Sequence, residues 1–586
     1  MDFMRLRGVG VSPGIAMGEA VFAGRAVFST HKEYVPPHRV EDELRRLRAA
    51  IAKTREDLIA LKADVQAKVG EEHAFIFEAH LLILDDPALD SGLERLIREE
   101  NVKAESALSE IHARYLKIFD AIVDEYFKQR KSDVSDVLVK VFRNLQSPGE
   151  EREDDSRNTI LVAHDLLPSE AALRLSTGSV LAVALDTGGQ TSHAAILARS
   201  LNIPTVVGLH DITLKIRPGD ILIVDGTDGE VIINPPPAVR KEFLGKKDKY
   251  DAYRQELKKV AKWKSVTLDD VRFYPMANIE LPEEIRHALS YGAEGVGLFR
   301  SEFIYLQRST LPTEDDHYDV YARLANGTYP YPVTIRTIDI GGEKTLPQLQ
   351  IETEPNPALG LRAIRFSLRH RELFRVQLRA ILRASARGNV RILIPMITEA
   401  EEIGEVKLLL EEVKEELRAK KIPFDPHLPF GVMIEVPAAA AIADILAREV
   451  DYFSIGTNDL IQYNLAVDRS NEFVSHLYKP FHPSILRLIR FVITSSLNAG
   501  KDVTVCGEMA ANPLLAISLL GLGLRTFSMN PIFIPKVKKA LRAVEVRTVR
   551  RIVTQALTLR TAQETEEFLI EKLLVKHPDA FLMGYR

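Results

Sequence analysis

A histidine, His193, stands between a glycine-rich turn and an apolar, helix-like stretch in "DTGGQTSHAAILARSLNIPTVVG", residues 186–208. Zinc ligation is disfavoured, because the stretch holds no second His or Cys at ligand spacing. A core position is also disfavoured, because the glycine turn exposes the residues that follow it. The free N–H groups at the start of the next helix would stabilise a phosphate carried on the ring. The pattern is therefore compatible with a nucleophile on a loop, and all three roles stay open at this point.

Polar side chains also follow a series of strand-like apolar segments in the second half of the chain. They are Arg300 in "GVGLFR", Arg336 and Asp339 in "IRTIDIGG", Glu435 in "VMIEVP", Asn458 and Asp459 in "SIGTND", and Cys506 and Glu508 in "VCGEM". Taken singly, such an arginine is typical of a surface salt bridge, Glu435 of a helix cap and Cys506 of a small buried hydrophobe. Taken together at strand ends, they favour a functional site.

The residue types in this group indicate the chemistry of the ligand. Two carboxylates on separate strand ends suit Mg²⁺, which takes few protein oxygens and keeps positions for water and phosphate. The paired N–H donors of arginine suit phosphate and carboxylate groups. The group therefore predicts a small, doubly anionic phosphate compound as the ligand. A thiol without an obvious activating base is expected to give up a proton rather than to attack.

The elements that must position this group alternate regularly along the chain. Eight strand-like segments are separated by amphipathic stretches such as "EAEEIGEVKLLLEEVKEELRAK". This alternation predicts a (β/α)₈ barrel over residues 265–586. An open, doubly wound sheet is the alternative, and the count of eight favours closure.

The first half of the chain predicts a different α/β arrangement, which makes the whole an α/β multidomain protein. Strand-like segments in residues 1–36 and 148–235 predict one compact α/β domain, because the N-terminal strands have no other pairing partners. Apolar residues at a spacing of three to four predict that residues 37–147 form an all-helical insertion into that domain. The polar, charged residues 236–264 predict a solvated linker helix.

Composition excludes several classes of protein. The 586 residues carry 77 Lys and Arg against 82 Asp and Glu, so the net charge is −5 and no nucleic-acid partner is expected. Since no apolar run approaches membrane-spanning length and the first residues lack a signal-peptide core, we expect a cytoplasmic protein without membrane insertion. The one cysteine, Cys506, cannot form an internal disulfide and is either inert or chemically used.

Several long motifs resemble, in the same order, those of Enzyme I of the phosphoenolpyruvate-dependent sugar phosphotransferase system. They are "GGQTSHAAILARS", "GAEGVGLFRSEFIYL", "IRTIDIGGEK", "NPALGLRAIR", "VDYFSIGTNDLIQYNLAVDR" and "VCGEMA". The resemblance runs from near Gly8 to near Lys539. It implies a phosphoenolpyruvate-protein phosphotransferase, which passes the phosphoryl group to its own histidine and then to a small phosphocarrier, HPr.

The resemblance also implies a role for each candidate residue. Mg²⁺, or Mn²⁺, is held by Glu435 and Asp459 in the mouth of the barrel. Phosphate and carboxylate of the substrate are held by Arg300, Arg336, Arg469, Asn458 and Asp459, with Arg362 as a further candidate. His193 takes the phosphoryl group on Nε2, and Cys506 protonates the enolpyruvate carbon.

The family further implies a swivelling phosphohistidine domain, a helical insertion that docks HPr, and a homodimer formed through the barrel. Glu71 and Glu72 in the insertion are the candidate contacts with the carrier. Two departures from the family pattern are Gln190, where Arg is usual, and Ala171, where Thr is common. Ala171 removes a hydroxyl that would orient His193, so the orienting group is left open.

Three other functions compete with this one. A dikinase or phosphoenolpyruvate synthase shares both signatures but needs an ATP-binding domain, which no stretch here offers. The nitrogen-regulatory paralogue of Enzyme I usually carries an additional N-terminal sensor domain, for which residues 1–40 leave no room. A non-catalytic scaffold is disfavoured, because the set of reactive residues is complete.

Overall fold

The computed structural model describes residues 3–22, 32–68, 76–121, 125–146, 158–175, 178–189, 192–201, 203–306, 310–341, 354, 356–469, 471 and 473–574. The chain divides into two compact units, Met1–Ala252 and Tyr253–Tyr585. The helix Pro237–Val260 contains the point of division. No helix in the described ranges is long and apolar enough to cross a membrane.

The first unit is built on a mixed β-sheet. Its strands in the described residues are β1 (Met4–Arg7), β2 (Val9–Ser12), β3 (Ile15–Phe22), β4 (Thr159–Ala163), β5 (Val180–Leu185), β6 (Thr205–Val207), β7 (Ile221–Asp225) and β8 (Glu230–Ile233), in the sheet order β1-β8-β7-β3-β4-β5-β6-β2. Strand β3 pairs parallel with β4 and antiparallel with β7, while β1 and β2 pair antiparallel with β8 and β6. The N-terminal strands thus complete a sheet whose other strands come after residue 158.

Helices fill the sequence between β3 and β4. They are Val40–Lys68, Ile76–Leu84, Pro87–Glu100, Ala104–Ala121 and Glu125–Gln146. The residues at three-to-four spacing in the first helix, among them Leu44, Leu47 and Leu58, are buried. They belong to one apolar cluster that continues into Leu161 and Ala171 of the α/β part. The predicted combination of an α/β domain with a helical insertion is confirmed, and its boundaries stay a prediction.

Shorter helices connect the strands of this sheet. They are Pro168–Leu175 after β4, His193–Ser200 after β5 and Ile212–Lys215 after β6. The helix His193–Ser200 begins at its cap, Ser192, whose hydroxyl accepts a hydrogen bond from the N–H of Ala195 at 3.3 Å. Such a cap satisfies one of the free N–H groups of the first turn.

The second unit contains a closed parallel barrel. Its strands within the described ranges are β9 (Tyr274–Ile279), β10 (Val296–Arg300), β11 (Val333–Arg336), β12 (Val390–Ile394), β13 (Phe430–Ile434), β14 (Tyr452–Ile455), β15 (Asp502–Val505) and β16 (Thr526–Met529). Each strand pairs parallel with the next, and β16 pairs with β9 to close the ring. The predicted (β/α)₈ barrel is confirmed, and the open sheet is not.

Helices surround the barrel. The longer ones are Glu314–Thr328, Arg371–Ala384, Ala400–Ala419, Pro483–Asn498, Pro513–Leu522, Ile534–Arg542 and Val546–Ala556. The helix Glu314–Thr328 starts in a capping box, because Thr313 Oγ1 accepts from the N–H of Asp316 and the Asp316 carboxylate accepts from the N–H of Thr313. Short helices follow several strand ends at the mouth, including Glu302–Leu306, Pro437–Ala441 and Thr457–Leu465.

Candidate active site

The mouth of the barrel, at the C-terminal ends of its strands, contains a cavity of about 220 Å³. Its polar lining consists of Arg300, Arg336, Arg362, Arg469, Asp339, Glu435, Asp459, Asn458 and Gln462. Cys506 lines it together with the apolar side chains of Leu298 and Met433. The structure therefore brings together the barrel residues that the sequence proposed for substrate, metal and proton transfer, although they are up to about 200 positions apart in sequence.

Arg336, the last residue of β11, is the most enclosed of the cavity's cations. The residue is 6% exposed, and its guanidinium forms ion pairs with Glu302 and, at 3.1 Å, with Asp339. Burial opposes its charge, but Glu302 and Asp339 outweigh that cost and raise the pKa of Arg336 above its ordinary value. A permanently charged donor is thus held by acids at the end of a strand, where it suits an anionic ligand.

Arg362 is fixed from three sides. Its guanidinium donates to both oxygens of Asp339, at 2.9 and 3.2 Å, and to Asp459 Oδ2 at 3.0 Å. It also donates to the hydroxyl of Tyr463 at 3.1 Å, and that hydroxyl donates to the carbonyl of Ala358 at 2.6 Å. Arg362 is therefore held rigidly between the ends of β11 and β14.

Glu435 follows β13 and is almost completely buried. Its Oε1 accepts a hydrogen bond from the N–H of Met396 at 2.7 Å, and Met396 adopts a positive φ of 58°. Left-handed backbone at a residue other than Gly is strained and is often kept at functional sites. Burial, followed by the charges of Asp459 and Asp339, raises the pKa of Glu435 to about 8.

These carboxylates fit a divalent cation. Glu435, Asp339 and Asp459 line the same cavity, and the charges of Asp459 and Asp339 contribute to the raised pKa of Glu435. A bound cation would relieve this repulsion. Within the described residues, no group of three or more His, Cys, Asp or Glu side chains is arranged to hold a metal ion. Two carboxylates, with water and phosphate as the remaining ligands, would match the preference of Mg²⁺-like ions.

Glycine allows the chain to approach these acids closely. A Cβ on Gly456 would lie 2.7 Å from Glu435 Oε2, and one on Gly507 would lie 1.9 Å from Thr457 Oγ1. Neither contact leaves room for a side chain. The glycines in "SIGTND" and "VCGEM" are therefore required by the packing of the mouth.

Cys506 follows β15 and is 5% exposed. Its Sγ accepts a hydrogen bond from the hydroxyl of Ser454 at 3.2 Å, and its carbonyl accepts from Asn278 Nδ2 at 2.8 Å. Burial raises the pKa of the thiol to about 11, although the hydrogen bond from Ser454 lowers it in part. The thiol therefore stays protonated at neutral pH and is suited to donate a proton.

The rim of the cavity is more exposed and is organised by Glu508. Its N–H donates to Asn458 Oδ1 at 2.9 Å, and Asn458 Nδ2 donates back to the Glu508 carboxylate at 3.2 Å. Arg469 lies 3.5 Å from the same carboxylate. Across the mouth, Arg300 donates to Glu280 at 2.7 Å. These arginines are paired with exposed acids, which a bound anion could displace at little cost.

The other candidate residues lie in the first unit. His193 is the first residue of its helix, directly after the cap Ser192, whereas the sequence predicted that the helix begins just after a histidine on a loop. The side chain of His193 lies outside the described part of the structure, as do Gln190 and the proposed carrier contacts Glu71 and Glu72. Ala171 is fully buried in the apolar cluster of its unit.

Sequence reasoning missed several contributors to the barrel site. Glu302 pairs with Arg336, Tyr463 holds Arg362, and Gln462 and Met433 line the cavity. The signal for Gln462 and Tyr463 was available, since they stand three and four positions after Asp459 on one helix and so share its face. Glu302 stands two residues after Arg300, but its partner could not be read from spacing.

Comparison with known families matches the chain in three sections. The model described as PEP-utilising enzyme, PEP-binding domain, matches residues 254–546. The models described as PEP-utilising enzyme, N-terminal, and PEP-utilising enzyme, mobile domain, match residues 7–130 and 156–229. The section with the barrel cavity and the section with His193 are therefore both typical of enzymes that use phosphoenolpyruvate.

Curated relatives match nearly the whole chain. A phosphoenolpyruvate-protein phosphotransferase of Geobacillus stearothermophilus is 43% identical over 96% of this chain and 97% of its own length. Relatives of the same name from Listeria monocytogenes and Staphylococcus aureus are 40% and 38% identical, over 97% and 96% of this chain and 99% and 98% of their own lengths. Identity at this level over both units and the barrel site shows that the chain belongs to the phosphoenolpyruvate-protein phosphotransferase family.

Proposed function

We propose that this chain transfers the phosphoryl group of phosphoenolpyruvate to His193 and then to HPr, as the first step of sugar uptake by a phosphotransferase system. The observation that carries this proposal is the convergence of four arginines, three carboxylates and a protonated thiol on one cavity of about 220 Å³. A compound that bears both a phosphate and a carboxylate, and that needs a proton on carbon after losing phosphate, suits this set of groups.

The arginines bind the two anionic groups of the substrate. Arg300, Arg336 and Arg469 present N–H donors from separate strand ends and loops, and Asn458 adds an amide beside them. Arg362 is a further candidate, and its ion pairs with Asp339 and Asp459 hold its side chain in place at the edge of the cavity. Phosphoryl transfer depends mainly on positioning and charge neutralisation, which explains the density of arginines.

Glu435 and Asp459 are the residues that would hold Mg²⁺, with Mn²⁺ as a possible replacement. When bound, such an ion would supply positive charge that stabilises the anionic groups of the substrate. The chain prepares both acids for this role, because Met396 donates to Glu435 and Arg362 donates to Asp459.

The bond changes in this reaction give a role to His193 as phosphoryl acceptor and to Cys506 as proton donor. The bond between phosphorus and the enol oxygen breaks as a bond forms between phosphorus and a ring nitrogen of neutral His193. The electron pair that returns to the enol oxygen makes the enolate of pyruvate, whose terminal carbon takes the proton of the Cys506 thiol. Solvent later restores the thiol proton, and the raised pKa of Cys506 favours that return.

The partners follow from the same scheme. His193 must meet phosphoenolpyruvate at the barrel and HPr at the helical insertion, so its domain must move between them. We also propose that Glu71 and Glu72 contact HPr, that the chain is a homodimer formed through the barrel, and that it acts in the cytoplasm. The nitrogen-regulatory role is not favoured, because the relatives that match nearly the whole chain are named phosphoenolpyruvate-protein phosphotransferase without a regulatory qualifier.

Labelling with phosphoenolpyruvate that carries a radioactive phosphoryl group tests this function. With Mg²⁺ or Mn²⁺ the wild-type chain should become labelled and release pyruvate, and HPr should then remove the label. His193→Ala should take no label, and excess EDTA should prevent labelling of the wild type. Full labelling in EDTA, or labelling of His193→Ala, would show that the assignment is wrong.

A further inference from the structure

A fully buried amide lies behind the active-site mouth, on the helix Arg371–Ala384. The side chain of Gln377 donates through Nε2 to Ser301 Oγ and to the Tyr321 hydroxyl, both at 3.0 Å. Its Oε1 accepts from the backbone N–H of Ile338, also at 3.0 Å. Ser301, Tyr321 and Ile338 are themselves fully buried, so water does not compete for these bonds.

The partners of this amide belong to two strand ends that carry substrate-binding arginines. Ser301 directly follows Arg300 at the end of β10, and Ile338 stands two residues after Arg336, beyond the end of β11. Gln377 itself is not among the residues that line the cavity. One side chain therefore ties together, from outside the barrel, the segments that hold Arg300 and Arg336.

We propose that Gln377 is a positioning residue for phosphoryl transfer, whose amide fixes the spacing between the segments that carry Arg300 and Arg336. The proposal rests on the proposed function of the barrel site. Only a carboxamide offers a double donor and an acceptor on one planar group, so it can hold two hydroxyls and a backbone N–H at once. Small errors in the position of substrate-holding groups are costly, since a displacement of about 1 Å lowers rates by about a hundredfold.

The chain contains a matched amide at the opposite end of the barrel. Asn389, immediately before β12, is 8% exposed, and its Nδ2 lies 3.0 Å from the carbonyl of Ala325, 3.2 Å from Thr328 Oγ1 and 2.9 Å from the carbonyl of Tyr331. This amide joins the start of β12 to the segment before β11. Like Gln377 it is buried and donates hydrogen bonds through its amide nitrogen, but its Oδ1 is buried without a hydrogen-bond partner in the described residues. It touches no segment that carries a substrate-binding residue.

The test compares Gln377→Met and Asn389→Leu in the full chain, two substitutions that keep volume and remove hydrogen bonds. Single-turnover labelling with phosphoenolpyruvate and Mg²⁺ gives a maximal rate and a half-saturating concentration for each, and thermal unfolding gives each Tm. Gln377→Met should lower the ratio of rate to half-saturating concentration by about tenfold to a hundredfold. Asn389→Leu should lower Tm to a similar extent while that ratio stays within about twofold of wild type, as for a substitution away from the site.

Equal losses of that ratio in both variants, or no loss in Gln377→Met, would overturn the positioning role. If Gln377→Met does not fold, Ser301→Ala decides, since it removes one of the amide's partners and should cost about threefold to tenfold in the same ratio. An unchanged ratio in Ser301→Ala would overturn the proposal. Failure of the proposed function is distinguishable, because the wild-type chain would then take no label from phosphoenolpyruvate.

Discussion

The two ends of the barrel are built from the same residue types and use them differently. At the N-terminal end, Asp451 accepts from the N–H of Phe430 at 2.8 Å, and Ser496 donates to the carbonyls of Lys501 and Asp502. At the C-terminal end, acids face one another and Glu435 has a pKa raised to about 8. Within the described residues, Arg336 Nε is also buried there without a hydrogen-bond partner.

This difference indicates that the N-terminal end of the barrel mainly stabilises the fold, whereas the C-terminal end carries the reactive groups. At the N-terminal end, Asp451, Ser496 and the amide nitrogen of Asn389 form hydrogen bonds to nearby backbone groups, which stabilises the strands. At the C-terminal end, Met396 and Ala363 have strained backbone with a positive φ, and ionised side chains lie close together. A bound substrate and cation would interact with these charged side chains. Matched substitutions at the two ends should therefore affect stability at both and phosphoryl transfer at one.

The largest loss of both phosphoryl transfer and stability is expected when Arg336 is replaced. Arg336→Met removes the buried cation that pairs with Glu302 and leaves Asp339 paired with Arg362. It should therefore abolish labelling by phosphoenolpyruvate and lower the free energy of unfolding by about 3–5 kcal/mol. At the other end, Arg272 is 42% exposed and pairs with Glu294. Arg272→Met should cost about 1 kcal/mol or less and leave labelling intact. Urea unfolding measures the stability of the two variants, and a labelling assay measures their phosphoryl transfer. Normal labelling of Arg336→Met would show that Arg336 is not needed to bind phosphoenolpyruvate.

The next largest effect is a dependence of stability on pH that arises from the carboxylate of Glu435. The pKa of Glu435 is raised by folding, from about 4.3 in an unfolded chain to about 8. The folded protein therefore binds more protons than the unfolded chain in this window, and metal-free stability falls as pH rises through it. Glu435→Gln removes this loss, so its Tm should exceed that of the wild type increasingly as pH rises toward 8.

The same variant should lose function while it gains stability. Mg²⁺ should raise the Tm of the wild type and of Asp451→Asn, but not that of Glu435→Gln, and only Glu435→Gln should fail to take label. Thermal scans with and without Mg²⁺ check this. A Mg²⁺-dependent rise in Tm for Glu435→Gln equal to that of the wild type would remove Glu435 from the metal site.

The smallest effect is expected for two buried serines. Ser454 donates to the Cys506 thiol, and Ser496 donates to the carbonyls of Lys501 and Asp502. Ser454→Ala and Ser496→Ala should each cost about 1 kcal/mol of stability. Only Ser454→Ala should slow pyruvate release, by roughly fivefold, the equivalent of one hydrogen bond to the proton donor. Equal rates in the two variants would mean that Ser454 only packs.

Much of the barrel and its site could be predicted from the sequence. The strands read as apolar segments that end in polar residues, and parallel strands in a ring must bring those ends together. That rule was sufficient to place Arg300, Arg336, Glu435, Asp459 and Cys506 in one cavity. Pairing of the N-terminal strands with strands after residue 158 also followed, since no other partners were available.

What could not be predicted depends on contacts between distant helices and loops. Gln377 reads as one polar position on an amphipathic helix, and nothing in its spacing shows that it faces Ser301 and Ile338. Helical spacing places Tyr463 on the face of Asp459, but its contact with Arg362 depends on the position of a distant loop. Such pairings are set by three-dimensional packing, which periodicity in one helix does not encode.

Under the proposed function, the barrel mouth carries only the phosphoenolpyruvate half-reaction, and Cys506 is the proton donor to carbon. The most direct test follows label on Cys506→Ala from two sources, phosphoenolpyruvate and pre-phosphorylated HPr. The variant should turn over phosphoenolpyruvate about 10²–10⁴-fold more slowly, as expected for loss of a positioned acid. It should accept phosphate from HPr at close to the wild-type rate, because that exchange moves no proton on carbon. Normal turnover of phosphoenolpyruvate would show that Cys506 is not the proton donor to carbon. Failure of the folded variant to take label from HPr would show that Cys506 does not act in the phosphoenolpyruvate half-reaction alone.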